Sequence, residues 1–298
     1  MKNINREGDI EVNGKKIIVA IVIIVAAGLL LIGFAPINGI LVKLGFRNND
    51  FNYIVQTKVD KIVIQNSRDP GFRFIITDPK AIHQLYETLS HGSVRPKGSS
   101  LPPDYIFEVY TGDKVKKYDY VVGVDKSGEG NFWDKNQAFQ VPKNLDDTII
   151  NNLSFIRKPR DFNEIYYGSI MKVIDLTKHY YDKGNAKVGV DVLGDVECVR
   201  YLFSEDLQKF SQELQKVVLG AKLVNGNFND FNVIISANNR GYSSNLFKTI
   251  ITVDDRVNHI YQKYYVIGKF DFNKWDIEVS QPNQVPNDWY TLGGQGNE

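Results

Sequence analysis

From Ile17 to Phe34 the chain reads IIVAIVIIVAAGLLLIGF, without a polar side chain, and no charge appears before Lys43. A bilayer crossing needs about 20 such residues. A helix apolar on every face leaves no side for water. Residues 17–38 are therefore predicted to form a single transmembrane helix. The run exceeds the roughly 7–15 apolar residues of a cleaved leader, and Phe34-Ala35-Pro36-Ile37 is a poor cleavage site. The only Cys, Cys198, lies far downstream, which argues against a lipid anchor, so the span reads as a retained signal anchor. Lys15 and Lys16 precede it and Lys43 and Arg47 follow it, giving little orientation bias. The long downstream chain puts residues 1–16 in the cytoplasm and the bulk outside the cell membrane.

The rest has ordinary globular composition, 43% apolar and 24% charged over 298 residues. Residues 1–42 carry four basic and three acidic side chains, leaving 32 of each sign, interspersed, in the remainder. A nucleic-acid binder shows a basic footprint, so no nucleic-acid partner is expected. One Cys excludes a disulfide framework and a Cys-based zinc cluster, and no cofactor is expected.

The soluble part divides near Arg157-Lys158-Pro159-Arg160 into α+β domains at 50–155 and 162–280, each with an antiparallel sheet, before a flexible tail at 281–298. In the first, Tyr53–Ile64 is β-branched and reads as a strand, and Phe72, Phe74 and Ile76 alternate as another. Asp78-Pro79 opens a helix whose face is Ile82, Leu85, Tyr86 and Leu89. A hairpin follows over 104–124, Trp133 falls in a loop, and Leu145, Ile149 and Leu153 suggest a closing helix. The second domain starts with a long helix carrying Phe162, Tyr166, Ile170, Val173, Ile174, Thr177 and Tyr181. Ser204 caps the next helix, with Leu207, Phe210, Leu214 and Val217 on its apolar face. Strands fill 187–193, 231–236, 246–253, 259–270 and 275–279, the last two joined by a turn at Asp271–Lys274.

The helix after Thr77-Asp78-Pro79, the strand begun by Pro102-Pro103-Asp104-Tyr105, the Tyr118–Gly123 strand and the closing helix resemble the YhfM-like domain of Gram-positive surface proteins. That resemblance implies a surface location rather than a chemistry. The second half is similar in outline to the nuclear-transport-factor-like fold, with helices first and a curved sheet after; fold-level likeness carries no function.

Few residues suggest chemistry. His83, His91, His179 and His259 lack metal-ligand spacing, and Cys198 among apolar neighbours reads as a small core residue. Asp125-Lys126-Ser127-Gly128-Glu129-Gly130 places oxygens and Gly as a calcium loop does, but its twelfth position is Asn136, so it reads as a turn. No catalytic or metal residue is predicted, and no enzyme. Tyr and Trp suit interfaces, making Tyr167, Tyr180, Tyr264 and Trp133 candidates for an interaction surface. The expectation is a membrane-anchored, extracytoplasmic, non-catalytic binding or assembly module of the cell envelope, contacting an envelope protein or cell-wall ligand. The alternatives are a bitopic subunit of a secretion or conjugation apparatus, or an envelope enzyme whose site the sequence does not reveal.

Overall fold

A computed structural model describes residues 47–56, 58–123, 128–142, 145, 158–181 and 186–291. The expected span at 17–38, the tail before it and most of the expected helix at 145–153 lie outside the described residues. No helix among the described residues is long and apolar enough to cross a membrane. The description as a single-pass, signal-anchored or bitopic protein of the cell membrane or envelope, with a membrane partner, is accordingly corrected and not carried forward. What stands is an α+β architecture with two sheets and two apolar cores.

The first sheet has seven antiparallel strands in the order β2-β1-β4-β5-β6-β7-β3. They are β1 (Lys61–Asn66), β2 (Arg73–Ile76), β3 (Ser93–Arg95), β4 (Tyr105–Thr111), β5 (Lys114–Tyr120), β6 (Phe132–Trp133) and β7 (Ala138–Gln140). Period-2 alternation sends Ile62, Ile64, Phe107, Val109, Tyr118, Tyr120 and Phe132 into the core. Two helices supply its other wall, α1 (Tyr53–Gln56) and α2 (Pro79–Ser90). Asp78 caps α2 by accepting from the Ala81 N–H at 3.1 Å, and Ile82, Leu85, Tyr86 and Leu89 are its buried face. Two expectations change here. Tyr53–Gln56 is a helical turn, not the start of a strand, because Phe51 and Ile54, three residues apart, are both buried by it. Trp133 belongs to a strand, pairing with Asp119 on one side and Ala138 on the other.

The second sheet runs β13-β12-β11-β10-β8-β9, comprising β8 (Val188–Asp191), β9 (Lys222–Leu223), β10 (Val233–Tyr242), β11 (Leu246–Asp255), β12 (Ile260–Asp271) and β13 (Lys274–Val279). It is mixed rather than antiparallel, since β8 lies parallel to both β10 and β9. That follows from connectivity: a helix intervenes between β8 and β9, and a long crossover is what a parallel pair requires. Phe272 and Asn273, both at positive φ, make the tight turn between β12 and β13. Helices α3 (Phe162–Thr177) and α4 (Ser204–Val217) cover one face. Gly268 on β12 lets α3 approach, because a Cβ there would lie 2.3 Å from the Ile165 Cδ1. On the opposite face the chain after β13 folds back as far as Thr291 and buries Trp289 against Tyr265, ring centroids 5.0 Å apart.

The two halves share an interface. Phe203, just before α4, inserts into the core of the first sheet, and Lys158 lies 5.1 Å from the rings of both Phe162 and Phe203. Asp104, fully buried, bonds Arg68 Nη1 at 2.6 Å and accepts from the Val122 and Ser204 N–H groups at 2.8 Å each. Ser204 is thus the first residue of α4 rather than its cap. The cap position holds Phe203, and a carboxylate from the other half satisfies the buried N–H at the helix start instead.

Candidate functional site

Strands exposed on one side alternate core and solvent residues, so the outward residues of successive strands fall into rows across the sheet. On the outer face of the first sheet the register aligns Arg73, Gln65, Ile106, Asp119 and Trp133 over five consecutive strands. Glu108 and Lys117 sit opposite each other in the neighbouring row with Val63. These residues, with Asp134 and Lys135, line an open cavity of about 490 Å³.

The groups in it are not equivalent. Glu108 is taken by Lys117 at 2.5 Å and by the Tyr110 hydroxyl at 2.7 Å, and these hydrogen bonds hold its carboxyl below the usual range. Asp134 turns inward to its own loop, accepting from the Asn136 and Gln137 N–H groups at 2.7 and 2.8 Å. The Gln65 amide bonds backbone carbonyls of the β1–β2 turn. Asp119 is half-buried and has neither an ion pair nor a hydrogen bond to its carboxylate among the described residues. Burial alone pushes its carboxyl upward, with no cation offsetting it. Its cross-strand neighbour Trp133 is clamped from behind: a Cβ on Gly98 would lie 2.4–2.8 Å from three atoms of the indole five-membered ring. Gly98 therefore sits against that ring, and the indole is held in place beside an unsatisfied carboxylate.

A second cavity of about 500 Å³ lies where the halves meet, lined by Pro102, Val192, Leu207, Leu223 and Val224 among others. Its one charged lining residue, Arg68, is already neutralised by Asp104 and hydrogen-bonded to Ser204.

The aromatic candidates from sequence are not brought together. Tyr167 is buried and stacks on Phe210, centroids 4.6 Å apart. Tyr264 is also buried, in the second core. Tyr180 is 44% exposed and lines a separate hollow with Asn232, Asp255 and Asn258. Trp133 alone lines the cavity on the first sheet. Asp119 was not singled out from sequence; the signal for it was the clean alternation of Tyr118 and Tyr120, which requires the residue between them to face outward. Of the calcium-like loop, residues 125–127 lie outside the described residues, and Glu129 accepts from the Ser100 N–H at 2.9 Å and pairs with Lys97. Among the described residues no group of three His, Cys, Asp or Glu side chains could hold a metal. Cys198 is buried and its thiol is pushed upward by that burial, far from the thiolate a nucleophile needs.

Residues 55–159 match the family model described as YhfM protein, roughly a third of the chain and every strand of the first sheet. The YhfM-like resemblance of that part is therefore real. No curated protein and no solved structure matches the chain. Nothing in these comparisons supports a nuclear-transport-factor-like second half, and the parallel β8 departs from the antiparallel sheet expected of it.

Proposed function

We propose that the protein is a non-catalytic recognition module that takes a polar ligand on the outer face of its YhfM-like sheet. The observation carrying this reading is Asp119 beside Trp133. A half-buried carboxylate without a partner costs free energy, and the indole next to it is fixed by close backbone packing. Binding sites combine an apolar contact surface with a few placed polar groups, and this cavity offers both. The buried thiol of Cys198 is pushed up, and Glu108 and Asp134 are committed to structural bonds. Asp119 stands in the cavity without a second acid or base beside it, which favours binding over covalent or acid–base chemistry.

Intrinsic fluorescence tests it. Trp275 and Trp289 are buried, so a ligand in this cavity should change the emission of Trp133 and leave that of a Trp133→Phe variant unchanged. A panel of amines, amino acids, short peptides, oligosaccharides and organic acids in which every response survives Trp133→Phe would reject the cavity as the site.

A further inference from the structure

We infer that the group recognised in this cavity is a cation, an alkylammonium or guanidinium carried on a peptide side chain, held between the Asp119 carboxylate and the indole of Trp133. The inference rests on the reading of the cavity as a ligand site and adds the ligand's chemistry.

Three observations converge. First, Asp119 and Trp133 are directly opposite on adjacent antiparallel strands, a separation of about 5 Å between Cβ atoms. A cation can therefore reach both the carboxylate and the indole face, the two partners it favours most in a partly desolvated site. Second, the other lining charges do not meet this need. Lys117 is committed to Glu108. Arg73 stands at the far end of the row, three strands away from Asp119. Lys135 is exposed and makes no ion pair with Asp119. Third, the site is a groove on an open sheet face, not an enclosed hole. Gln65 and Ile106 continue the row from Asp119 to Arg73, so an extended chain bearing the cation has a floor to lie on. Arg73 then faces whatever anionic or carbonyl group follows along that chain. A free polyamine has the same cationic head but nothing to set against Arg73.

The test uses the full chain and four probes: a lysine-containing tripeptide amide, its Nε-acetylated form, spermidine and a neutral oligosaccharide. Titration is followed by Trp emission and by calorimetry. The lysine peptide should bind, its acetylated form should bind at least about tenfold more weakly, and Asp119→Asn should weaken the lysine peptide by a similar factor. Asp119→Asn preserves shape and lies on the outer face, and its thermal midpoint verifies that it is folded. Spermidine binding as well as the peptide, with Arg73→Gln without effect, would overturn the peptide assignment. Binding of the oligosaccharide but not of the cations, unaffected by Asp119→Asn, would overturn the cation while leaving the cavity a ligand site. No response of Trp133 to any probe of the wider panel would instead overturn the site itself.

Discussion

Both sheets bury one face under helices, but their other faces are treated differently. The second sheet is strapped by its own chain. Ser280–Thr291 returns across it, the Asn283 N–H donates to the Lys263 carbonyl at 2.8 Å, and Trp289 is buried against Tyr265 with Lys248 bonding its carbonyl at 3.1 Å. The first sheet leaves its outer face open, and there Trp133 is only half-buried, beside a carboxylate with no partner among the described residues. The same residue type thus closes one face and furnishes the other. Where the chain supplies its own cover, aromatic area is spent on stability; where it does not, the groups left over are available to a ligand.

The largest effect should come from the helix-covered side of the second sheet. Phe210 is 2% exposed and stacks on Tyr167. Phe210→Ala should cost about 3–5 kcal/mol in denaturant unfolding, the range for a buried Phe. An unmoved midpoint would mean that α4 is not packed on the sheet, and the contrast between covered and open faces would lose its reference.

Next comes the joint between the sheets. Asp104→Ala leaves the partly buried Arg68 without its counterion and the N-terminus of α4 without its acceptor. Breaking a buried pair from one side costs about 3–5 kcal/mol, and the solvent still reaching Arg68 puts the expectation near the lower end. If the halves were joined only by the chain near Pro159, this change would destabilise the first sheet alone, and two unfolding transitions would separate.

Asp195 gives a pH-dependent measure of the second core. It is 1% exposed, accepts from the Asn239 N–H at 3.1 Å, and burial raises its carboxyl from 3.8 to about 6. The folded state therefore holds this proton more tightly than the unfolded state. Its contribution is fully present below pH 3.8 and is lost as pH rises through about 6. Two pKa units correspond to about 3 kcal/mol at most. Asp195→Asn should remove that component of the slope, whereas Asp119→Asn, on the open face, should leave it in place. Identical slopes in wild type and Asp195→Asn would show that water reaches this core.

Much of the covered side was legible in the sequence, because it is written in local patterns. Asp78-Pro79 and the face of α2, the apolar face of α4, and the turn at Phe272-Asn273 all follow from neighbours within a few residues. The joint and the open face were not. Asp104 and Ser204 are a hundred positions apart in sequence, so no periodicity links them, and a Ser before an apolar-periodic run looks like a cap whatever lies across the interface. Trp133 sits in a two-residue strand, too short for alternation to register. The row from Arg73 to Trp133 exists only once five strands have taken their register. Residue type alone therefore picked out Trp133 together with Tyr167 and Tyr264, which the core absorbs, while Asp119 beside Trp133 emerges only from tertiary pairing.

The smallest effect on stability is expected on the open face itself. Asp119 is shifted by burial alone, so its charged form carries a modest desolvation cost that no folded-state partner offsets. Asp119→Asn removes the charge without changing shape, and the unfolding free energy at neutral pH should change by no more than about 0.5 kcal/mol, toward greater stability. A carboxylate that holds the fold together would behave oppositely, losing stability when it is removed, as Asp104→Ala should. A loss of about 2 kcal/mol or more at Asp119 would exceed what an exposed-face position gives. It would mean that Asp119 is bonded within the fold in solution, and the distinction between the strapped sheet and the open one would fall with it.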